Sequence, residues 1–275
     1  MVRGRGRVAV VFGAVVLALS GVGCAPERAV ELPPEGGFDY QLGGAYPPPE
    51  GVTTVVRDST AEPAPGLYSV CYVNGFQTQP DELDRWLDED PDLVLRDEDG
   101  EPVVDPGWPD ERILDTSTGE RRERIAEILT ETIDRCADAG FDAVEFDNLD
   151  SYLRSGEALT VDDNLALASV LVGVAHGRGL AAAQKNTVEE AGRGHDEVGF
   201  DLAVTESCAA WHECGAYTGV YGSGNVLAVE YPEELAEAAL DFDVVCADPE
   251  RPDRVLLRDA ALVPSSDPEH LFEAC

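Results

Sequence analysis

Short apolar runs recur along this chain, and helical stretches separate most of them. That recurrence limits the fold more than any other feature. The runs are FDYQL (38–42), TTVVR (53–57), LYSVCYV (67–73), AVEFD (143–147), LAAAQK (180–185), LAVTE (202–206), VLAVEY (226–231) and DVVCA (243–247). Helical periodicity covers 80–89, 118–139, 161–177 and, more weakly, 233–240. Thr118 ahead of Glu120 and Arg121 supplies a start signal for the second helix, and Gly140 supplies its stop. Strands alternating with helices build a parallel sheet. Eight such strands predict a single (β/α)8 barrel of the TIM type, which needs about 250 residues; the chain has 275. The main alternative is a doubly wound open sheet. No glycine-rich phosphate loop follows any early run, which counts against a nucleotide-binding sheet. The long connection after the third run includes an irregular segment, 94–115, expected as a loop at the barrel mouth.

The barrel explains why an apolar run such as DAVEFDNLDSY (142–152) finishes on carboxylates and an amide. Reactive groups in such barrels sit at the C-terminal ends of the strands. Asp147 closes the fourth run, with Asn148 and Asp150 just beyond. Lys185, the chain's single lysine, closes the next run with Asn186. Glu206 closes the sixth, Glu230 and Tyr231 the seventh, and Tyr72 and Asn74 the third. Successive strand ends would aim these groups into one mouth. Two carboxylates across a pocket suit glycoside hydrolysis, where one attacks or steadies the anomeric carbon and the other protonates the leaving oxygen. Their proton affinities must differ; a cation such as Lys185 would keep one ionised while the more shielded stays protonated. Calcium binding by DNLD is the weaker option, because the spacing lacks the glycine and closing glutamate of a calcium loop.

The N-terminus carries Arg3, Arg5 and Arg7, then an apolar stretch from Val8 to Leu19, then small residues. That order reads as a secretory signal over 1–23 rather than a membrane span. Cys24 ends it as in a bacterial lipobox, although Gly21 stands where a Leu or Val is usual. The expectation is an exported protein held by a lipid on Cys24, with plain secretion as the alternative. Residues 24–36 read as a Pro- and Glu-rich tether, and 37–275 as the barrel domain. The remaining six cysteines suggest disulfides in an exported chain. Cys208 and Cys214 are the best local pair, and Cys246 with Cys275 would pin the C-terminus. Scattered cysteines and scarce histidine argue against zinc.

Four blocks in order resemble glycoside hydrolase family 114, the endo-α-1,4-polygalactosaminidase-like barrel proteins: VEFDNLDSY, QKN at 184–186, TESCxxWHEC at 205–214 and VEY at 229–231. FDYQLGG and VCYVNGF resemble the family's first and third strands. The resemblance spans about 38–231. It implies that Asp147 and Glu206 are the catalytic carboxylates, Asp147 as nucleophile and Glu206 as acid/base. It implies that Cys208 and Cys214 pair beside Glu206. It assigns Tyr72, Asn148, Asp150, Lys185, Asn186 and Glu230 to substrate contact or support. Two departures bear on the substrate: Asp39-Tyr40 replaces a tryptophan-rich opening, and Arg57 on the second strand would alter a subsite. The family's substrate would be a partly cationic amino-sugar polymer. A net charge of −36 suits it and disfavours nucleic acid and anionic lipid.

The sequence thus predicts an exported glycosidase acting within an α-linked, galactosamine-containing polysaccharide, with retention and without metal or organic cofactor. The rival reading is a non-catalytic carbohydrate-binding lipoprotein on the same barrel, and a third is an acidic structural protein. Membrane contact would run only through the lipid anchor, and the oligomeric state is open.

Overall fold

The computed structural model describes residues 1–2 and 30–275. The expected signal segment, Cys24 and the first part of the tether lie outside the described residues. Nine strands form one sheet in sequence order: β1 Gly37–Gln41, β2 Val52–Asp58, β3 Tyr68–Asn74, β4 Ala143–Asp147, β5 Ala181–Lys185, β6 Leu202–Glu206, β7 Val226–Glu230, β8 Arg254–Arg258 and β9 Phe272–Ala274. The first eight pair in parallel, and β9 runs antiparallel to β8. The helices are α1 Leu83–Glu89, α2 Gly119–Ala139, α3 Val161–Arg178, the single turn α4 Ala191–Arg193, α5 Cys214–Tyr221, α6 Pro232–Glu237 and α7 Phe242–Ala247. The sheet is curled until β1 and β8 touch, so the barrel is nearly closed.

Strand alternation sorts the core into two layers. On β4, Val144 and Phe146 face the helices, where they pack with Ile125, Ile133 and Leu171. Ala143 faces the barrel interior with Tyr40, Val70, Ala183, Val204 and Leu227. The same alternation places Glu145 and Asp147 inward. The predicted caps hold: Thr118 accepts from the Arg121 amide at the start of α2, and Gly140 ends it at φ 97°. Cys71–Cys136 ties β3 to α2, closing 65 residues. In the chain-entropy model a loop of that size is stabilising by about 4 kcal/mol.

The eighth strand differs from expectation. DVVCA lies in helix α7, and RVLLR (254–258) forms β8 instead. A run of three or four apolar residues has no decisive period. In α7 Val245 is buried while Val244 is 55% exposed, a one-sided pattern. In β8 the flanking arginines disguise the strand, yet both are buried. Their burial is explained by the β8–β1 junction. Arg254 donates to the carbonyls of Gly36 (3.0 Å) and Pro33 (3.2 Å) and to that of Gly224. Arg258 donates to Asp39 (3.1 Å), to the Tyr40 carbonyl and to the Val263 carbonyl (2.9 Å). Side chains therefore link two strands that share no backbone ladder. Arg57 belongs to the same inner cluster, donating to Gln41 (3.0 Å) and to the carbonyls of Tyr46 and Glu62. It is spent inside the fold rather than lining a subsite.

The end of the tether also has a fixed place. Tyr68 donates to the Glu31 carbonyl at 2.7 Å, and Thr53 to the Gly37 carbonyl at 3.2 Å. With the Arg254 contacts to Pro33 and Gly36, residues 31–36 lie against the N-terminal ends of the strands, opposite the mouth.

Candidate active site

Three adjacent strands end in the same way. β4 stops on Asp147, β5 on Lys185 and β6 on Glu206, each the last inward-facing position of its strand. The residue after each turns left-handed: Asn148 at φ 66°, Asn186 at φ 48° and Ser207 at φ 59°. That conformation costs about 1–2 kcal/mol for a residue with a Cβ. It ends the strand abruptly, so the charged side chain stays aimed inward while the backbone leaves. Two of the three are asparagines, which tolerate the strain by local hydrogen bonding. Asn148 donates its backbone amide to Asp147 Oδ1 (2.8 Å), and Asn186 accepts from the Glu206 amide (2.8 Å).

Lys185 is the hub. Its Nζ, 2% exposed, lies 3.5 Å from Asp147 Oδ2, 3.2 Å from Glu206 Oε2 and 3.2 Å from Glu145 Oε1. Burial alone would push the ammonium's pKa down. The surrounding acids, Asp147 and Glu206 foremost, outweigh it and hold Lys185 well above the ordinary lysine value. The cation is therefore permanent. It also fixes the spacing of the two outer carboxylates, since oxygens sharing one nitrogen lie at most about 7 Å apart, twice the longer contact.

Each outer carboxylate has its own tyrosine. Tyr72 donates to Asp147 Oδ2 at 2.8 Å, and Tyr231 donates to Glu206 Oε1 at 2.5 Å. Burial, reinforced by those carboxylates, drives both phenol pKa values well above 10.0, so both remain donors. Asp147 is 20% exposed and Glu206 31%. Beneath them lies Glu145, fully buried, accepting from Tyr40 at 2.7 Å while its Oε2 has no hydrogen-bond partner among the described residues. Burial pushes Glu145 up to about 7 against the pull of Lys185, and Asp147 pushes further in the same direction. Lys185 thus does not distinguish Asp147 from Glu206, as the sequence suggested it would. The shielded acid is a third carboxyl below both.

The other predicted residues divide. Asn148 reaches Asn74 (3.0 Å), which in turn donates to Glu111 (2.9 Å). Asn186 approaches Glu206 with its amide nitrogen at 3.4 Å. Asp150 is drawn aside to Arg154 at 2.9 Å and does not join the Lys185 cluster. Glu230 is on the other face of β7: it is fully buried toward the helix layer and accepts from the amides of Ala209 (2.8 Å) and Ala210 (3.4 Å). It supports the loop after Glu206 instead of facing the mouth. Burial raises it to about 7 despite those amides. The same loop carries the Cys208–Cys214 disulfide, as anticipated, and Cys246 pairs with Cys275. With their sulfurs bonded to each other, Cys208 and Cys214 cannot join Glu230 as metal ligands.

Tyr40, Glu145, Glu111 and the role of Tyr231 were not foreseen. Alternation would have found three of them: Tyr40, Glu145 and Tyr231 are the inward positions of FDYQL, AVEFD and VLAVEY. Glu111 had no such signal. It arrives through the 94–115 segment, an arch bridged at Val94–Leu114 and Val104–Arg112 that lies across the β3 end. Burial lifts Glu111 to about 7, and the charge of Asp147 adds to the rise.

The model of glycoside-hydrolase family GH114 matches residues 23–275. The fold is similar to Aspergillus fumigatus Ega3, solved in complex with galactosamine, at a TM-score of 0.68 and 20% identity over 91% of this chain and 100% of that one. It is also similar to the glycoside hydrolase domain of PelA from Pseudomonas aeruginosa, at 0.57 and 16% identity over 83% and 96%. Among curated proteins there is no match.

Proposed function

The chain belongs to glycoside-hydrolase family GH114 and is a glycosidase, and from that premise we propose that it cleaves within an α-linked, galactosamine-containing polysaccharide by double displacement between Asp147 and Glu206. The observation that carries the reading is the pair of outer carboxylates held on one buried ammonium at the mouth of the barrel. Retention is favoured by the shared ammonium, which keeps the two carboxylate oxygens within about 7 Å of each other, whereas most of the inverting range, about 6.5–9.5 Å, lies beyond that. Galactosamine as the sugar is supported by the ligand of Ega3 and by an acid-rich mouth.

Asp147 suits the nucleophile. It is the less exposed carboxylate, and a backbone amide, Tyr72 and Lys185 fix its aim. Its free electron pair attacks the anomeric carbon as the bond to the leaving oxygen breaks. Glu206 gives that oxygen a proton. It then takes one from a water, which displaces Asp147 and regenerates the enzyme. Glu206 is the more exposed of the two, as a group that exchanges protons with solvent in each cycle should be. Glu145, Tyr40 and Lys185 touch no sugar in this scheme and set the field around the pair. The N-terminal sequence supports an exported enzyme anchored through a lipid on Cys24.

The test is product release from de-N-acetylated and N-acetylated α-1,4-galactosamine polymers, read by mass spectrometry, with NMR reporting the anomer first formed. Oligosaccharides from wild type, and none from Asp147→Asn or Glu206→Gln, support the assignment. Binding without product would favour a carbohydrate-binding protein or another glycan.

A further inference from the structure

Three tryptophans occur in the chain. Trp86 is buried, whereas Trp108 and Trp211 are 64% and 59% exposed. A single exposed apolar side chain is ordinary. The mounting of these two is not. Trp108 sits on the arch after β3, and Trp211 on the disulfide loop after β6; both segments leave the C-terminal ends of their strands. Each is braced from below by a buried carboxylate. Asp105, 1% exposed, accepts from the amides of Gly107 (2.7 Å) and Trp108 (3.2 Å) through one oxygen. Its other oxygen accepts from Gln77 and Arg154, both at 2.6 Å. The Trp108 carbonyl closes a turn on the Glu111 amide at 2.9 Å, and Glu111 is bonded to Asn74 beside Asp147. On the other side, Glu230 holds the amides of Ala209 and Ala210, Cys208 bonds Cys214, and Trp211 donates its amide to the Ser207 carbonyl at 3.0 Å.

The backbone under each indole is therefore fixed while the ring is left in water, with Trp211 five residues after Glu206 and Trp108 three before Glu111, which bonds Asn74 at the end of β3. β3 and β6 stand three intervals apart in a ring of eight, so the two loops rise from well-separated arcs of the rim. An indole forgoes a large apolar burial by staying exposed, and a rigid mount adds the entropy of ordering. Both costs are recovered when a flat apolar face covers the ring. The C–H face of a pyranose is such a surface. An amino sugar adds an ammonium, attracted to the ring when within about 6 Å, and Asp110, two residues from Trp108, with Glu213, two from Trp211, match its charge.

We propose that Trp108 and Trp211 are two sugar-stacking platforms on either side of the carboxylate pair, so that an amino-sugar polymer lies across the mouth from one indole to the other. This rests on the polysaccharide-cleaving reading of that mouth. Platforms away from the scissile bond reward chain length, because a short oligomer cannot cover both.

The experiment compares kcat/KM on a long de-N-acetylated α-1,4-galactosamine polymer with that on its trimer. It uses wild type, Trp108→Ala, Trp211→Ala and the tyrosine variants at both positions. Each alanine variant should lower the polymer-to-trimer ratio about tenfold, chiefly through KM, and tyrosine should restore most of it. A general loss of fold would lower both substrates together and leave the ratio alone. An unchanged ratio in both alanine variants overturns the proposal while the cleavage reading stands. If wild type cleaves neither substrate, tryptophan fluorescence is titrated with the same polymer, chitosan and an α-glucan. Quenching by any of them that disappears in both alanine variants keeps the platforms and discards galactosamine cleavage. No quenching by any polymer, or quenching that survives both variants, overturns the platforms.

Discussion

Two of the barrel's buried cations, Arg258 and Lys185, are held in opposite styles. Arg258 is fully enclosed at the β8–β1 junction, where Asp39 and Asp259 face it and the carbonyls of Tyr40 and Val263 accept further hydrogen bonds; only its Nε is unmatched among the described residues. Arg57 joins that cluster through Gln41, so two cations meet two carboxylates. Lys185 is nearly as buried, yet one cation meets Asp147, Glu206 and Glu145. The first cluster is balanced and its acceptors are largely fixed backbone. The second has an excess of negative charge and borrows its donors from tyrosines. Balanced charge holds a junction together. Unbalanced charge in a mouth stabilises a positive centre, which is what an oxocarbenium-like transition state develops.

The largest expected effect separates the two cations. Lys185→Met should cut turnover by 10³-fold or more, since it removes the hub that aims both carboxylates. Arg258→Met should cost about 3–5 kcal/mol of stability by leaving Asp39 buried without its cation, with a much smaller loss of turnover per folded molecule. Chemical denaturation beside kinetics measures both.

The next effect is on pH. Glu111, Glu145 and Glu230 rise in the folded protein from 4.5 to about 7. Between those values the folded state keeps protons that the unfolded chain has released. Stability should therefore be greatest near pH 4.5, fall through about pH 7 and then level off. A melting scan across that range should show a drop on the order of 5 °C, and Glu145→Gln or Glu230→Gln should flatten it. No such slope would mean that these carboxyls ionise freely. Smaller still are the tyrosine variants. Tyr72→Phe and Tyr231→Phe should each cost about tenfold in kcat, the worth of one hydrogen bond to a charged group, with little change in melting temperature. Equal loss from Tyr68→Phe, whose hydroxyl holds the tether end, would erase the distinction between mouth and base.

Much of the architecture was legible because β4, β5 and β6 combine a clear apolar run with a charged last residue. The same habit of reading strand ends misplaced attention on Glu230. Glu230 and Tyr231 are neighbours in sequence on opposite faces, and only the period of two separates a loop brace from a site residue. β8 was hidden because buried arginines look like solvent-facing ones until their carbonyl partners are known. β9 is three residues long, and only its pairing with β8 defines it. Glu111 lies far from any strand end, and only the folded arch delivers it.

The docking of residues 31–36 against the far end of the barrel fixes a direction. Anything that holds this chain just ahead of residue 31 holds it by the base, with the Lys185 cluster turned outward. A polymer would meet the mouth face-on without having to pass between the enzyme and its support. Immobilisation at residues 31–36 should leave access to long chains intact, whereas a support attached at the 105–111 arch would stand directly in their path.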